Sequence, residues 1–372
     1  MSAALGRSQA SSHRSPQGEG TPVSLRTTAP KGASSAIRNM KVNPLNSTRH
    51  FSLASTLALS LSTLACAGAG QAATLDLTGY TDGSGAITIQ HKGGTVDPYF
   101  TLQALLLAQE LGLDTSAVAL PWAKWLLARQ KPDATFDRFC RTDSVWLACK
   151  TADADDSLLA LWLKFVETLP AETRREPAMV KSHAAASAAL ARLVSPPTGV
   201  YLVSPVYMHG LFMDNLEVWT YQPAHAATQN KARPSFGASI QHVFWDPAQK
   251  RYHVSTQPEQ KTTEHKFYPD AVAQIFPHTV NFPHIPGGAK AHYQRWIKDH
   301  RAEWLKQVEG DFAWGLITSV SLRQGDLASV RCWHQKTLPA RHSSHWTVTD
   351  EVVHQVLKAR GITNQPVEKN CS

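Results

Sequence analysis

The sequence predicts an all-α domain, either a toroid of helix pairs or an irregular helical bundle, carrying a few short β-hairpins. Three observations carry this. About ten segments repeat apolar residues at helical spacing. The strand-like pieces are short, and no long run of Val and Ile suits a parallel sheet. Several helical runs open on an acid, the residue type that accepts hydrogen bonds from the free N–H groups of a first turn. No internal repeat is visible, which disfavours a regular solenoid.

Taken in order, Thr74–Gln90 alternates briefly at Leu75/Leu77 and Ile87/Ile89 around Asp82-Gly83-Ser84-Gly85, so it reads as a hairpin or an extended entry segment. Asp97-Pro98 opens an amphipathic helix running to about Gly112. Pro121 is read as a first-turn residue of the next helix, which carries Trp122, Trp125 and Leu126 and breaks at Lys131-Pro132-Asp133. Asp153–Leu169 is the clearest helix, with Leu158, Leu161, Trp162, Phe165 and Leu169 on one stripe and Pro170 as its stop. Helices are also expected over Ala184–Leu193 and within Met208–Thr220, with a short extended piece at Gly199–Val203 between them. Val243–Asp246 and Arg251–Val254 flank Pro247–Lys250 as a small hairpin. The remaining helices are Asp270–Phe276, Ala289–Val308, Phe312–Leu322, Leu327–Gln335 and Asp350–Arg360, the last stopped by Gly361.

The first 73 residues are different in kind. Residues 1–39 are rich in Ser, Arg, Gly, Pro and Thr and lack apolar periodicity, so they are expected to be disordered or a non-native extension with Met40 as the true start. Residues 40–73 combine a basic stretch, an apolar stretch from Phe51 to about Gly70 and small residues at Ala72-Ala73, the pattern of a secretory signal peptide. Residues 74–372 then form a single helical domain, periplasmic or secreted, with no stable membrane span after cleavage.

The formal charge of +8 belongs to that leader. Residues 1–73 hold seven Lys and Arg and one Glu, leaving 30 basic and 28 acidic residues downstream. No basic stripe remains to bind nucleic acid. The four downstream cysteines are Cys140, Cys149, Cys332 and Cys371. An even count in an exported chain suggests two disulfides, with Cys140–Cys149 closing a local loop and Cys332–Cys371 tying down the tail. No Cys-x-x-Cys or His-Glu-x-x-His spacing occurs, so no metal site and no cofactor are expected.

Three acidic motifs remain: Asp153-Ala154-Asp155-Asp156-Ser157, Asp214-Asn215-Leu216-Glu217-Val218 and Tyr268-Pro269-Asp270. Each heads an apolar, helix-periodic run, and capping alone accounts for any one of them. In a toroid, alternate helices run parallel and their N-termini open on one face, so distant caps converge. Met213-Asp214-Asn215-Leu216-Glu217-Val218, a hairpin beginning Trp245-Asp246-Pro247, and Tyr268-Pro269-Asp270-Ala271-Val272-Ala273-Gln274 follow in that order. Their order and wording resemble bacterial six-hairpin, (α/α)6-toroid glycosidase-like proteins, over roughly residues 97–294. The resemblance implies a toroid of up to six helix pairs with a cleft at one end, lined by acids and aromatics. By position it points to Asp156, Asp214, Glu217 and Asp270 as catalytic carboxyl groups.

Two carboxyl groups at a glycosidic bond divide the chemistry: one donates a proton to the leaving oxygen, while the other activates water or attacks the sugar. Tyr207, Trp219 and Tyr268 are the expected substrate-binding aromatics, with Trp122 and Trp146 as further candidates. The expected function is glycoside hydrolysis on an oligo- or polysaccharide. The alternatives are a non-catalytic glycan-binding or envelope-assembly toroid, and a polysaccharide lyase or epimerase. Gly-x-Ser-x-Gly and phosphate-binding loops do not occur.

Overall fold

The computed structural model describes residues 72–221, 235–261, 265–366 and 368–371. The expected extension and signal segment lie outside the described residues, apart from Ala72 and Ala73. The described chain is mostly helical, with two small antiparallel sheets. No described helix is long and apolar enough to cross a membrane.

Extended residues 72–97 thread between the two ends of the domain. Leu75 donates its N–H to Asp114 at 2.8 Å, Thr81 bridges Ile87, and Val348 donates to Ile89 at 2.7 Å. The hairpin reading of this segment thus reduces to one antiparallel bridge. Gly85, at φ 97°, lies against the helix that holds Pro121; a Cβ there would sit 2.6 Å from the Pro121 carbonyl.

Helix α1 spans Pro98–Glu110, with Asp97 capping it by accepting from the Tyr99 N–H at 3.0 Å and Pro98 in its first turn. Helix α2 is Ser116–Leu127. Pro121 therefore lies inside α2, not in its first turn: the start is set further upstream, where Asp114 accepts from Ser116 N–H at 2.9 Å. Strand β1 (Thr95–Val96) pairs with β2 (Asp137–Thr142), which pairs with β3 (Val145–Thr151). Asp143 and Ser144 both take positive φ, as a two-residue hairpin turn requires. The disulfide Cys140–Cys149 staples this hairpin, at a Cα separation of 5.7 Å.

Helix α3 (Asp155–Thr168) starts two residues later than expected. Asp153 stays outside it because Arg138 holds its carboxylate at 2.5 Å. Arg138 also reaches Asp97 at 2.6 Å, so one guanidinium ties the hairpin to the starts of α1 and α3. A short α4 (Ala171–Arg174) leads to α5, which runs Pro177–Ala191 and so begins a full two turns before the expected Ala184. Then come α6 (Phe212–Tyr221), α7 (Phe236–Phe244) and the small pair β4 (Trp245–Asp246) and β5 (Arg251–Tyr252). Residues 267–271 form one wide turn leading into α8 (Val272–Thr279). Helices α9 (Ala289–Trp304), α10 (Gly315–Arg323), α11 (Leu327–Thr337) and α12 (Val348–Ala359) complete the fold. The second disulfide, Cys332–Cys371, anchors the tail to α11.

The contacts among these helices are ordered. Helix α1 packs on α3, α3 on α6, α6 on α8, α8 on α10, α10 on α12, and α12 returns to α1. Further contacts pair α5 with α3, α7 with α6, α9 with α8 and α11 with α10. The first turns of the six meet at one end. Asp350, in the first turn of α12, accepts from Gly315 N–H at the start of α10 at 2.6 Å. Only glycine allows that approach, since a Cβ on Gly315 would stand 2.8 Å from the Asp350 oxygen. Phe100 of α1 meets Phe312, just before α10, edge-on at 6.0 Å. Tyr268, before α8, meets Trp314, before α10, at 5.4 Å.

Candidate functional site

The acids of α3 and α6 occupy this shared end. Asp156 is the second residue of α3 and fully buried. Its Oδ1 accepts from the Ser157 N–H at 2.9 Å, and its Oδ2 has no hydrogen-bond partner among the described residues. Asp214 is the third residue of α6 and half-buried. Glu217, one turn further on the same face, is 3 % exposed. Its Oε1 accepts from the Tyr99 hydroxyl at 2.7 Å, and Gln103 donates to that hydroxyl at 3.1 Å.

These groups act on one another's protons. Burial, then the Asp214 charge, lifts the Asp156 carboxyl well above its ordinary value, and Glu217 adds to the shift. Burial and the Asp214 charge likewise lift Glu217, against the lowering effect of Tyr99, Gln103 and Lys164. Like charges in one enclosed site disfavour one another's ionisation, which is the direction of both shifts. Lys164, two turns below Asp156 on α3, has its ammonium pulled down by burial and held up by Glu110 and Glu217.

Asp270 belongs to a different arrangement. Its Oδ1 accepts from Arg251 at 3.2 Å and lies 3.4 Å from His265, while its Oδ2 accepts from Lys266 N–H at 3.1 Å. It organises the turn before α8, whereas the charges acting on Asp156 are those of Asp214 and Glu217. The structure thus brings three of the four expected acids together and leaves Asp270 tied to its own loop.

The aromatics divide in the same way. Tyr268 is 45 % exposed at the N-terminal end of the helices. Tyr207 is also exposed, in the loop that follows Val203, and Val203 receives the Asp155 N–H at 2.8 Å at the start of α3. Trp219 sits five residues past Asp214, about 7.5 Å further along the helix axis, and packs edge-on against Phe282 at 5.4 Å. Trp122 is fully buried on Trp125, and Trp146 is nearly buried, donating to Asp82 at 2.6 Å. Tyr99 is the site residue sequence reasoning missed. Its signal was weak: a tyrosine directly after a capped Pro at the head of a helix whose start shares the end where the acids lie.

No match to the chain is found among protein-family models or among curated proteins.

Proposed function

We propose that the mature chain is an exported glycoside hydrolase, and that the closed circuit α1, α3, α6, α8, α10, α12 is the inner ring of an (α/α)6-type toroid. One observation carries the reading. Asp156 and Asp214, from helices 58 residues apart in sequence, and Glu217 on Tyr99 share the common N-terminal end, where burial and the Asp214 charge raise the Asp156 and Glu217 carboxyls. Asp214, the most exposed of the three, is the carboxylate that activates water or attacks the sugar. Asp156 holds its proton by burial and the Asp214 charge, and donates it to the leaving glycosidic oxygen. Glu217, its Oε1 held by the Tyr99 hydroxyl at 2.7 Å, is a positioning residue beside Asp214. Tyr268 and Tyr207 lie on the rim, where a pyranose C–H face can pack on a ring. The two disulfides fit an oxidising compartment outside the cytoplasm.

The test is Asp214→Asn assayed with the intact chain against a panel of polysaccharides, following release of reducing ends. A carboxylate with a direct role should cost at least about 10²-fold in turnover. Full turnover in the variant would remove Asp214 from the mechanism. A second reading, a glycan-binding toroid without catalysis, is favoured by the closure of Asp156 and Glu217 to solvent. It predicts that the unmutated chain binds an oligosaccharide and releases no reducing ends from it.

A further inference from the structure

The segment leading into α8 presents a second set of groups that the acid chemistry does not use. Lys266 and Tyr268 both have extended backbone, at φ −115°, ψ 163° and φ −107°, ψ 129°. Lys266 and Tyr268 are exposed while Phe267 between them is buried, edge-on to Trp296 and Trp314. Tyr268 is backed by Trp314 at 5.4 Å and an interplanar angle of 31°. Trp314 is itself held in the left-handed region at φ 55°, ψ 45°, a conformation that is uncommon and unfavourable for a bulky side chain. Its indole N–H is fixed on Asp311 at 3.1 Å, which also occupies that carboxylate. A ring is thus kept in place behind Tyr268 against a local backbone cost. The Tyr268 phenol is near enough to Tyr99 for its charge to act there, and the Tyr99 hydroxyl is on Glu217. Among the described residues nearby, Arg251 lies 3.2 Å from Asp270 and His265 lies 3.4 Å from the same carboxylate.

The geometry points to a sugar subsite beside the acid cluster that takes a carboxylate-bearing pyranose, its C–H face on Tyr268 and its carboxylate on Lys266. This rests on the glycan reading and narrows it from glycans in general to acidic ones. The aromatic face supplies attraction common to all pyranoses, and the single exposed ammonium supplies the preference for anions. Because that ammonium is solvent-exposed, the preference weakens as salt is added.

The test uses the full mature chain carrying Asp214→Asn, so that sugar is bound and not cut, with oligogalacturonate and cello-oligosaccharide of equal length as probes in titration calorimetry. The expected result is that oligogalacturonate binds at least about tenfold more tightly at low ionic strength, which is the factor that about 1.4 kcal/mol produces. Lys266→Met should abolish that preference and leave the cello-oligosaccharide affinity unchanged. Tyr268→Ala should weaken both. Both side chains are exposed, and melting temperatures measured alongside should match those of the parent. Equal affinity for the two probes, no binding of either, or a preference that survives Lys266→Met would each overturn the assignment. Turnover in the chain with Asp214 intact is read separately. Preferential binding of oligogalacturonate without release of reducing ends would sink hydrolysis and leave the subsite standing.

Discussion

At the scale of the residue, the site stands on carboxyl groups whose protons are held by their surroundings. Asp156 and Glu217 have folded pKa values raised above their ordinary 3.8 and 4.5. A raised carboxyl stabilises the fold fully below its unfolded value, and that contribution is lost as pH rises through the folded value. Asp156→Asn mimics the protonated form, so it should melt higher than the parent at pH 8, and the difference should shrink towards pH 4. A gain that is flat with pH would contradict burial of an ionisable Asp156. His278 and His292 show the opposite sign. Their rings meet at 3.1 Å, and burial lowers each to about 4, with the neighbouring ring also lowering His278. Their contribution is present above 6.5 and disappears as pH falls towards 4. His292→Gln should therefore reduce the loss of melting temperature between pH 6.5 and 4. The two effects overlap in that window, which is why the comparison is between variants and not within one pH curve. Asp156 and Asp214 were legible in the sequence because a helix start has a compositional signature. Tyr99 was not, since its partnership with Glu217 joins residues 118 apart and depends on how α1 and α6 are placed.

At the scale of the element, the β-hairpin of β2 and β3 works as a brace. Its guanidinium Arg138 bridges Asp97, which is 2 % exposed, and Asp153. Removing one member of a buried ion pair leaves the other charge uncompensated, at a cost of about 3–5 kcal/mol. Arg138→Met should destabilise the chain by that order in denaturant unfolding, whereas a loss below about 1 kcal/mol would mean that the pair behaves as a surface bridge. The sequence foretold the disulfide here but not the strands. Along β3 only Trp146 is buried, so the alternation that announces a half-buried strand is missing. The helices were better forecast in kind than in extent. The Ala184 start missed the first two turns of α5 because Pro177 begins the helix ahead of an alanine-rich stretch with little amphipathic contrast. The start of α2 was placed too late because a proline inside a helix looks like one at its head.

At the scale of the whole molecule, the order of helix contacts was only partly legible. Periodicity gives helices, and the parallel placing of their first turns has no local code. What fixes it is non-local: Asp350 on Gly315, Tyr99 on Glu217, Trp314 under Tyr268. The tail adds Cys332–Cys371, which closes 39 residues of chain. A loop of that size corresponds to at most about 4 kcal/mol of lost unfolded-state entropy, with engineered removals returning less. Cys371→Ser should cost about 2–4 kcal/mol, read from the shift in the denaturation midpoint. The leader is tested at this scale too: N-terminal sequencing of the exported protein should begin near Thr74, and a product retaining Phe51–Gly70 would rule out cleavage.

The return of α12 onto α1 also sets a timetable for the nascent chain. Asp76 bonds Gln355 at 2.9 Å across 279 residues, and Arg360 reaches the Leu111 carbonyl across 249. None of these closing contacts exists until α12 has been made, so α1 leaves the ribosome with one flank bare. Contacts that distant also carry a large loop-closure entropy and slow folding. A polypeptide that cannot finish folding while it is being made stays threadable through a narrow pore, as the export proposed above requires, and under that proposal the Cys332–Cys371 bridge forms on the oxidising side.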